Sequence, residues 1–237
     1  CPDPVTVSAN GTNNVSGTVS DVAGNSATAS LAIKIDTTGP TLTTANVNIQ
    51  GGTYTLGAVP APTCSAKDDL SGLASCTVTL TGGGNASGVG MFTYSATAID
   101  KVGNPTTIPG SYKVIYRWDG FLQPINDTAH QIGTSVSVFK AGSTVPVKFQ
   151  LKNAAGTVVK AATAPEWLNP VKGTAMSVPV NDSATAASVD SGSAFTYDSS
   201  SGQYQYNWKT PSTGGNWYNV GVKLDDGTTQ YVTIGLK

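Results

Sequence analysis

Charged side chains and the groups that catalyse reactions are scarce in this chain of 237 residues. Asp, Glu, Lys and Arg make up 11% of the sequence, whereas an average globular protein has about 25%. His130 is the only histidine and Glu166 the only glutamate. Because catalysis needs a base, a nucleophile or a metal in mutual reach, this composition predicts that the protein is not an enzyme. His130 lies in the segment NDTAHQIG, which is typical of a loop.

An excess of charge of one sign and a long apolar segment are also missing. There are 13 Lys and Arg against 14 Asp and Glu, so no concentrated basic surface is expected. No apolar run approaches the roughly 20 residues of a membrane-spanning helix. The first residues do not have the charged and apolar regions of a signal peptide. We therefore expect neither nucleic acid as a partner nor a membrane span.

Cysteine occurs only three times, and two of the three lie close together. Cys64 and Cys76 bracket the polar stretch SAKDDLSGLAS, whose turn-forming residues allow two neighbouring strands to be joined. We predict a disulfide between them, which would stabilise the fold by roughly 3 kcal/mol. Zinc is excluded because no second Cys or His pair lies nearby to complete four ligands. A disulfide indicates an oxidising, extracellular location.

Alternation of apolar and polar residues is the strongest pattern that is present. Val145, Val147, Phe149 and Leu151 alternate with more polar residues, which predicts a strand with one buried face and a hairpin between residues 137 and 159. Tyr204, Tyr206 and Trp208 follow the same period and are predicted to be core. Further strands are predicted at 194–197, 203–209, 216–224 and 230–236, with a proline loop at 165–173 and a long surface connection up to Ser193.

The first half of the chain contains two copies of one module. Cys1 is followed by Asp21-Val-Ala-Gly-Asn25, and Cys76 by Asp100-Lys-Val-Gly-Asn104. The first copy therefore begins at its second cysteine, and we predict a truncated sandwich with strands at 5–9, 15–19 and 27–35, whose open edges are covered by a neighbouring domain or another chain. A lipidated amino terminus is the alternative explanation for Cys1. In the second copy, Leu80 is among the residues predicted to face inward.

Pro and Gly in the segment Asp36-Thr-Thr-Gly-Pro40 mark the end of the first copy. The predicted fold class is all-β, with tandem antiparallel immunoglobulin-like β-sandwiches of which the first is truncated. The predicted domains are a truncated repeat at 1–36, a repeat with the disulfide at 37–117, and a third β-sandwich at 118–237.

Several motifs of the third domain carry a resemblance to a known family: GFLQPI, FKAGSTVPVKFQL, APEWLNPVKG, GQYQYNWKT and LDDGTTQYVTIGLK. They are similar to the PxKF domain at the carboxyl ends of large secreted or surface proteins of bacteria, with Pro146-Val-Lys-Phe149 as its core. The Cys, Asp-x-x-Gly-Asn and Asp-Thr-Thr-Gly-Pro landmarks of the first two copies resemble bacterial immunoglobulin-like surface repeats. The resemblance implies a non-catalytic extracellular array that ends at its native carboxyl terminus, and it implies no biochemical activity.

Loop aspartates are the candidate metal ligands. Calcium takes about six to eight oxygen ligands, which carboxylates and carbonyl groups at sandwich junctions supply. The candidates are Asp36 in the linker, the pair Asp68 and Asp69, and Asp100 near the next junction. The alternative is that Asp-x-x-Gly-Asn is a turn whose Asp and Asn bond their own backbone. Both interpretations stay open on the sequence.

Exposed aromatic rings are the candidate ligand-binding residues, because sugars stack on them. The apolar register Tyr218, Val220, Val222 turns Trp217 outward, and Trp167 in the predicted proline loop is a second candidate. Packing of each ring against the edge of the domain is the alternative.

The composition, the disulfide and the resemblance together predict a non-catalytic structural or adhesive module at a bacterial cell surface. Its partners would be a protein or glycan surface, or neighbouring copies of the chain. Two alternatives stay open: a carbohydrate-binding accessory region of a secreted hydrolase, and a self-assembling subunit that shares strands with another chain.

Overall fold

A computed structural model describes residues 4–130, 136–173, 190 and 192–237. The described residues form four β-sheets and one short 3-10 helix, Thr44–Asn46. The strands are β1 Gly11–Ser20, β2 Ser26–Ile35, β3 Thr53–Thr55, β4 Leu73–Gly83, β5 Gly90–Asp100, β6 Pro105–Ile115, β7 Phe121–Leu122, β8 Val138–Phe139, β9 Thr144–Phe149, β10 Glu166–Lys172, β11 Thr196–Asp198, β12 Gln203–Lys209, β13 Asn216–Lys223 and β14 Thr229–Leu236. The all-β prediction is confirmed.

The sheets have the orders β1-β2, β3-β6-β5-β4, β11-β12-β9-β7 and β10-β13-β14-β8. Most of the pairs are antiparallel, as predicted. The β3–β6 and β8–β14 pairs are parallel, which the sequence pattern did not indicate. No helix in the described ranges has the length and the apolar composition that crossing a bilayer would require.

The chain divides into two compact units. The first comprises Cys1–Gly51, Ala61–Thr81 and Thr93–Ser111, and the second comprises Gly52–Pro60, Gly82–Phe92 and Tyr112–Lys237. The three-part division at residues 36 and 117 stays a prediction.

In the first unit, β1 and β2 form a hairpin with two very different faces. Residues opposite one another in an antiparallel pair share a face, and Val15 lies opposite Leu31 while Val19 lies opposite Ala27. The other face is built from hydroxyl groups, with Thr18 Oγ1 2.8 Å from Thr28 Oγ1. Leu31 on the apolar face is 64% exposed. The hairpin therefore has the pattern of half a sandwich.

The first unit also contains a buried core. Leu42, Val47, Ile49, Tyr94, Ala96 and Ala98 are buried in it. The Tyr94 hydroxyl donates a hydrogen bond to Gln50 Oε1 at 2.6 Å. Cys64 and Cys76 form the disulfide, with their Cα atoms 5.7 Å apart. Cys1 lies outside the described residues, so both interpretations of it stay predictions.

The second unit is a β-sandwich with an aromatic core. Its two sheets face each other, since Trp167 of β10 stacks on Tyr206 of β12 with ring centroids 4.3 Å apart. Trp208 of β12 contacts Tyr218 of β13 edge to face, at 5.6 Å. The residues predicted to be buried on β9 and the strand following it are buried: Val145, Val147, Phe149 and Leu151. Tyr204, Tyr206 and Trp208 are also core, as predicted.

Three local predictions are wrong. Residues 5–9 form no strand, because β1 begins at Gly11 and pairs only with β2. Leu80 is exposed, because it lies in the exposed last part of the edge strand β4. The predicted proline loop at 165–173 is largely strand β10. Pro170 is tolerated there because β10 is an edge strand and its register shifts between Leu168 and Val171.

The predicted surface connection up to Ser193 falls mostly on residues 174–189 and 191, which lie outside the described residues.

Candidate functional site

The turn between β5 and β6 holds the carboxylate of Asp100 in place. Asp100 Oδ1 accepts hydrogen bonds from the backbone N–H groups of Val102 and Asn104, at 2.9 and 2.8 Å. Asp100 Oδ2 accepts from Asn104 Nδ2 at 2.7 Å. Gly103 has φ +99°, a left-handed conformation that glycine adopts without strain. The sequence Asp-x-x-Gly-Asn therefore forms a hydrogen-bonded turn that fixes the orientation of the aspartate carboxylate.

The turn between β1 and β2 has the same geometry. Asp21 Oδ1 accepts from the backbone N–H of Asn25 and Asp21 Oδ2 accepts from Asn25 Nδ2, both at 2.8 Å. Gly24 has φ +89°. The sequence repeat is thus a structural repeat at this turn. The environments differ, because Asp21 is exposed whereas Asp100 is 1% exposed.

Two further carboxylates meet Asp100. Asp68 Oδ1 accepts hydrogen bonds from the backbone N–H groups of Leu70, Ser71 and Gly72, at 3.2, 2.9 and 2.7 Å. Asp36 follows β2, and its Oδ2 accepts from the Ser71 N–H at 3.0 Å. Asn104 Nδ2 also donates to the Asp36 carbonyl oxygen at 3.2 Å. The linker, the loop and the turn are therefore tied together by the same polar groups.

Asp36, Asp68 and Asp100 form a three-carboxylate cluster. One carboxylate oxygen from each lies within 4.8 Å of the others. Calcium binds oxygen at about 2.3–2.6 Å, so two ligands of one ion are at most about 5 Å apart. The spacing of the three oxygens meets this condition. Asp69, the fourth predicted ligand, lies outside the cluster, because its exposed carboxylate pairs with Lys67 Nζ at 2.7 Å.

The cluster carries negative charge at neutral pH. Contacts with Ser71 and with Thr38 lower the pKa of Asp36 to about 2. Burial, the largest single effect, opposes ionisation of Asp100, but the hydrogen bonds from Asn104, Val102 and Gly103 together outweigh it and lower the pKa of that carboxyl. Among the described side chains, no Lys, Arg or His forms an ion pair with Asp36, Asp68 or Asp100. Adjacent unpaired carboxylates repel each other, and a bound cation would relieve that repulsion.

The donor set suits a hard cation. All three side chains offer oxygen, and Asp68 Oδ2 accepts no hydrogen bond from the described residues. Backbone carbonyl groups and water would have to supply the remaining ligands, because calcium takes about six to eight. Asp36 also lines an open cleft of about 470 Å³, which gives an ion a route from solvent. The two interpretations of the Asp-x-x-Gly-Asn motif, a calcium ligand and a turn that bonds its own backbone, are therefore compatible. The motif forms the turn, and the turn holds the Asp100 carboxylate in the cluster.

Of the two candidate aromatic residues, one is buried. Trp167 is 6% exposed and lies in the aromatic core, stacked on Tyr206 and edge to face with Phe195. The prediction that it is an exposed ring is wrong, because residue 167 lies on the inner face of β10 and not in a loop. Trp217 is half-buried and lines an open cleft of about 420 Å³.

His130 lies in a turn next to an aspartate. Its Nδ1 is 3.0 Å from Asp127 Oδ1. Asp127 is buried, and its Oδ2 accepts a hydrogen bond from the Phe121 N–H at 3.0 Å. The pair closes a turn at residues 127–130, after β7, which agrees with the interpretation of His130 as a loop residue.

Comparisons with known proteins identify no family. No protein-family model matches the chain, and no curated protein matches it. A solved structure of mouse clustered PcdhgC3 EC1-3 is 11% identical over 95% of this chain and 76% of that one, with a TM-score of 0.26. A structure of a 1.5-MDa bacterial ice-binding adhesin, described in connection with host cell surface retention, is 15% identical over 94% and 74%, with a TM-score of 0.24. The all-β fold rests on the strand registers above.

Proposed function

We propose that this chain is a non-catalytic structural and adhesive part of an extracellular bacterial protein, in which calcium stiffens the first unit. The Cys64–Cys76 disulfide supports an oxidising location. The observation that carries the proposal is the convergence of Asp36, Asp68 and Asp100 from three separate segments. An ion bound there would tie the linker after β2 to the loop before β4 and to the turn after β5.

Stiffness is the physical property that such an ion supplies. Three separate segments held only by hydrogen bonds open locally at a small free-energy cost. A cation that binds the folded arrangement stabilises it by mass action, by about 2.7 kcal/mol when the free ion is a hundredfold above its dissociation constant. A surface protein built this way would keep the three segments of its first unit in a defined arrangement where calcium is abundant.

The two equivalent turns provide a matched pair of variants. Chelator-treated protein is titrated with calcium in a calorimeter, and thermal unfolding is followed with and without the ion. We expect heat of binding and a raised unfolding temperature for the unchanged chain and for Asp21→Asn. Both effects should be lost in Asp100→Asn, because only Asp100 shares the cluster.

Two outcomes would contradict the calcium proposal. One is the absence of both heat and a change in unfolding temperature in the unchanged chain. The other is an equal loss in Asp21→Asn and Asp100→Asn, which would place the ion at exposed aspartates in general.

The apolar face of the β1–β2 hairpin favours a second candidate function, self-association with another copy of the chain. Val19 and Leu31 are exposed on that face, and each strand of a two-stranded sheet has one open hydrogen-bonding edge. An isolated hairpin is marginally stable in water, so covering this face would stabilise it.

Sedimentation over a wide range of protein concentration tests self-association. We expect a dimer that Leu31→Ser weakens by roughly tenfold or more, since a buried leucine is worth about 1.5–3 kcal/mol. Leu80→Ser, an exposed leucine outside the hairpin, serves as the control and should leave association unchanged. A monomer at every concentration would rule out this candidate.

A further inference from the structure

Four separate segments of the second unit bring polar side chains together around the hydroxyl of Tyr116. Ser87 lies between β4 and β5, Tyr116 follows β6, Tyr204 lies on β12 and Asp225 lies in the turn between β13 and β14. Tyr116 is 3% exposed, and Tyr204 is also buried. Burial raises the pKa of Tyr116, and the Ser87 hydroxyl and the Asp225 carboxylate are close enough to shift it as well. We call these four side chains the Tyr116 cluster.

The carboxylate of Asp225 uses only one of its two oxygens in hydrogen bonds to described residues. Oδ2 accepts from Asn85 Nδ2 at 2.9 Å and from the Thr163 N–H at 3.1 Å. Oδ1 is buried and accepts no hydrogen bond from the described part of the chain. A buried acceptor without a donor destabilises a fold, so Oδ1 needs a partner that donates.

The hydroxyl groups of the Tyr116 cluster also have unused hydrogen-bonding capacity. The Ser87 hydroxyl donates to the Lys160 carbonyl oxygen at 2.8 Å, which leaves Ser87 Oγ free to accept. Tyr204 Oη accepts from the Ala161 N–H at 2.7 Å, and its proton reaches no acceptor among the described residues. The Tyr116 hydroxyl is buried and bonds no described group. The cluster therefore has two protons to donate, on the tyrosines, and two acceptors, Ser87 Oγ and Asp225 Oδ1.

This balance of donors and acceptors favours one kind of ligand. An anion would be repelled by the Asp225 carboxylate. A metal cation would bind the oxygens but would leave the protons of Tyr116 and Tyr204 without an acceptor. Water both donates and accepts, and a buried water typically makes about three hydrogen bonds, with a range of about two to four, to polar groups that lack other partners.

We propose that the Tyr116 cluster binds one water molecule as an integral part of the second unit. The water accepts hydrogen bonds from the hydroxyls of Tyr116 and Tyr204, and it donates to Asp225 Oδ1 and Ser87 Oγ. These bonds join the segment between β4 and β5 to the turn between β13 and β14. The site goes beyond the structural function proposed above, and it does not depend on calcium at the three-carboxylate cluster.

Two measurements test the proposal. A high-resolution crystal structure of the chain should show a water within hydrogen-bond distance of Tyr116 Oη and Asp225 Oδ1. A water held in this way exchanges with solvent only when the cluster opens locally, so oxygen-17 relaxation dispersion counts it among the long-lived waters.

The variant Tyr116→Phe keeps the ring and removes the hydroxyl. We expect it to lose one long-lived water and to lower the unfolding temperature by about 2–4 °C, because Asp225 Oδ1 then loses the donor next to it. Tyr218→Phe removes a hydroxyl from another buried ring. It is the control, and it should lose no long-lived water.

Three results would overturn the proposal. A direct hydrogen bond from the Tyr116 hydroxyl to Asp225 Oδ1, with no water between them, would remove the site. An equal number of long-lived waters in the unchanged chain and in Tyr116→Phe would show that this hydroxyl holds none. A higher unfolding temperature in sodium chloride than in choline chloride at equal ionic strength, lost in Asp225→Asn, would show that the ligand is a cation.

Discussion

The β1–β2 hairpin and the β5–β6 hairpin of the first unit share a turn and differ in burial. Both close with an aspartate that bonds an asparagine four residues on, at nearly the same distances. Both also carry a threonine pair on the polar face, Thr18 with Thr28 and Thr97 with Thr107. Local sequence has therefore produced the same local structure twice.

The two hairpins differ in how far their apolar side chains are buried. On β5, Tyr94, Ala96 and Ala98 are buried, and Asp100 meets two further carboxylates. On β1, Val15 and Val19 stand at the positions of Tyr94 and Ala98 in the repeat. Val19 is 53% exposed, and Leu31, opposite Val15 on β2, is 64% exposed. A local hairpin does not need a covering layer to adopt its turn. It needs that layer to bury its apolar face and to complete its acidic cluster.

Removing an apolar side chain from each hairpin should show the largest difference. Tyr94 is 1% exposed, so Tyr94→Ala should lower the free energy of unfolding of the first unit by about 3–5 kcal/mol, as aromatic core truncations do. In dilute protein, where a dimer dissociates, Leu31→Ala should lower it by less than about 1 kcal/mol, because the side chain is 64% exposed in the single chain. Chemical denaturation measures both, and Tyr94→Phe separates loss of the ring from loss of the bond to Gln50. An effect of Leu31→Ala that grows with protein concentration would mean that another copy of the chain covers that face.

The pH dependence of stability should separate the two acidic environments. The pKa of Asp36 is lowered to about 2 in the folded chain, against about 3.9 for a free aspartate. Its ionised form therefore stabilises the fold above about pH 4, and this stabilisation is lost as the pH falls from about 4 to about 2. Asp36→Asn should make the loss of stability across that window shallower.

Asp21→Asn is the matched control for this pH window. The pKa of Asp21 is lowered as well, first of all by the Asn25 side chain. That contact is local and persists in part when the rest of the chain unfolds, so it contributes less to the difference between the folded and unfolded states. Unfolding followed at a series of pH values measures both variants. Equal effects would show that the Asp36–Ser71 contact does not depend on tertiary structure.

The threonine pairs should give the smallest effect, and the same one in both hairpins. Thr28→Ala and Thr107→Ala each remove one hydroxyl–hydroxyl bond from an exposed polar face, at 2.8 and 3.0 Å. Each should lower the free energy of unfolding by about 0.5 kcal/mol, since cross-strand pairs are worth about 0.2–1 kcal/mol. A clearly larger effect of one substitution would mean that the polar faces also differ.

The alternation of apolar and polar residues along the sequence predicts most of the strands of the second unit. Tyr204, Tyr206 and Trp208 are buried as the pattern indicates, and Trp217 is half-buried, at the position before the buried Tyr218. The prediction of a loop at residues 165–173 was wrong, and it had been made because this segment contains two prolines. The edge position of β10 and its shifted register accommodate Pro170, and neither can be seen without the neighbouring strand.

The candidate sites were only partly predictable. Asp36, Asp68 and Asp100 were found because they are aspartates in turns, and Asp69 was wrongly grouped with them because it is adjacent to Asp68. Ser71, whose N–H bonds both Asp36 and Asp68, has no distinctive signal in the sequence. Asn104 belongs to the Asp-x-x-Gly-Asn motif, but its bond to the Asp36 carbonyl group was not predicted. Thr233 comes to the Trp217 cleft from β14, where the strand register places it opposite Asn219.

The sequence by itself determined the hairpins, their turns and the side of each strand that is apolar, because these depend on contacts within a few residues or on the two-residue period of a strand. Tertiary structure alone decided which apolar face is buried, that Trp167 belongs to the core and which aspartates meet. These outcomes depend on the segments that pack together across long separations in the chain, and the same local hairpin is compatible with either a covered or an uncovered face.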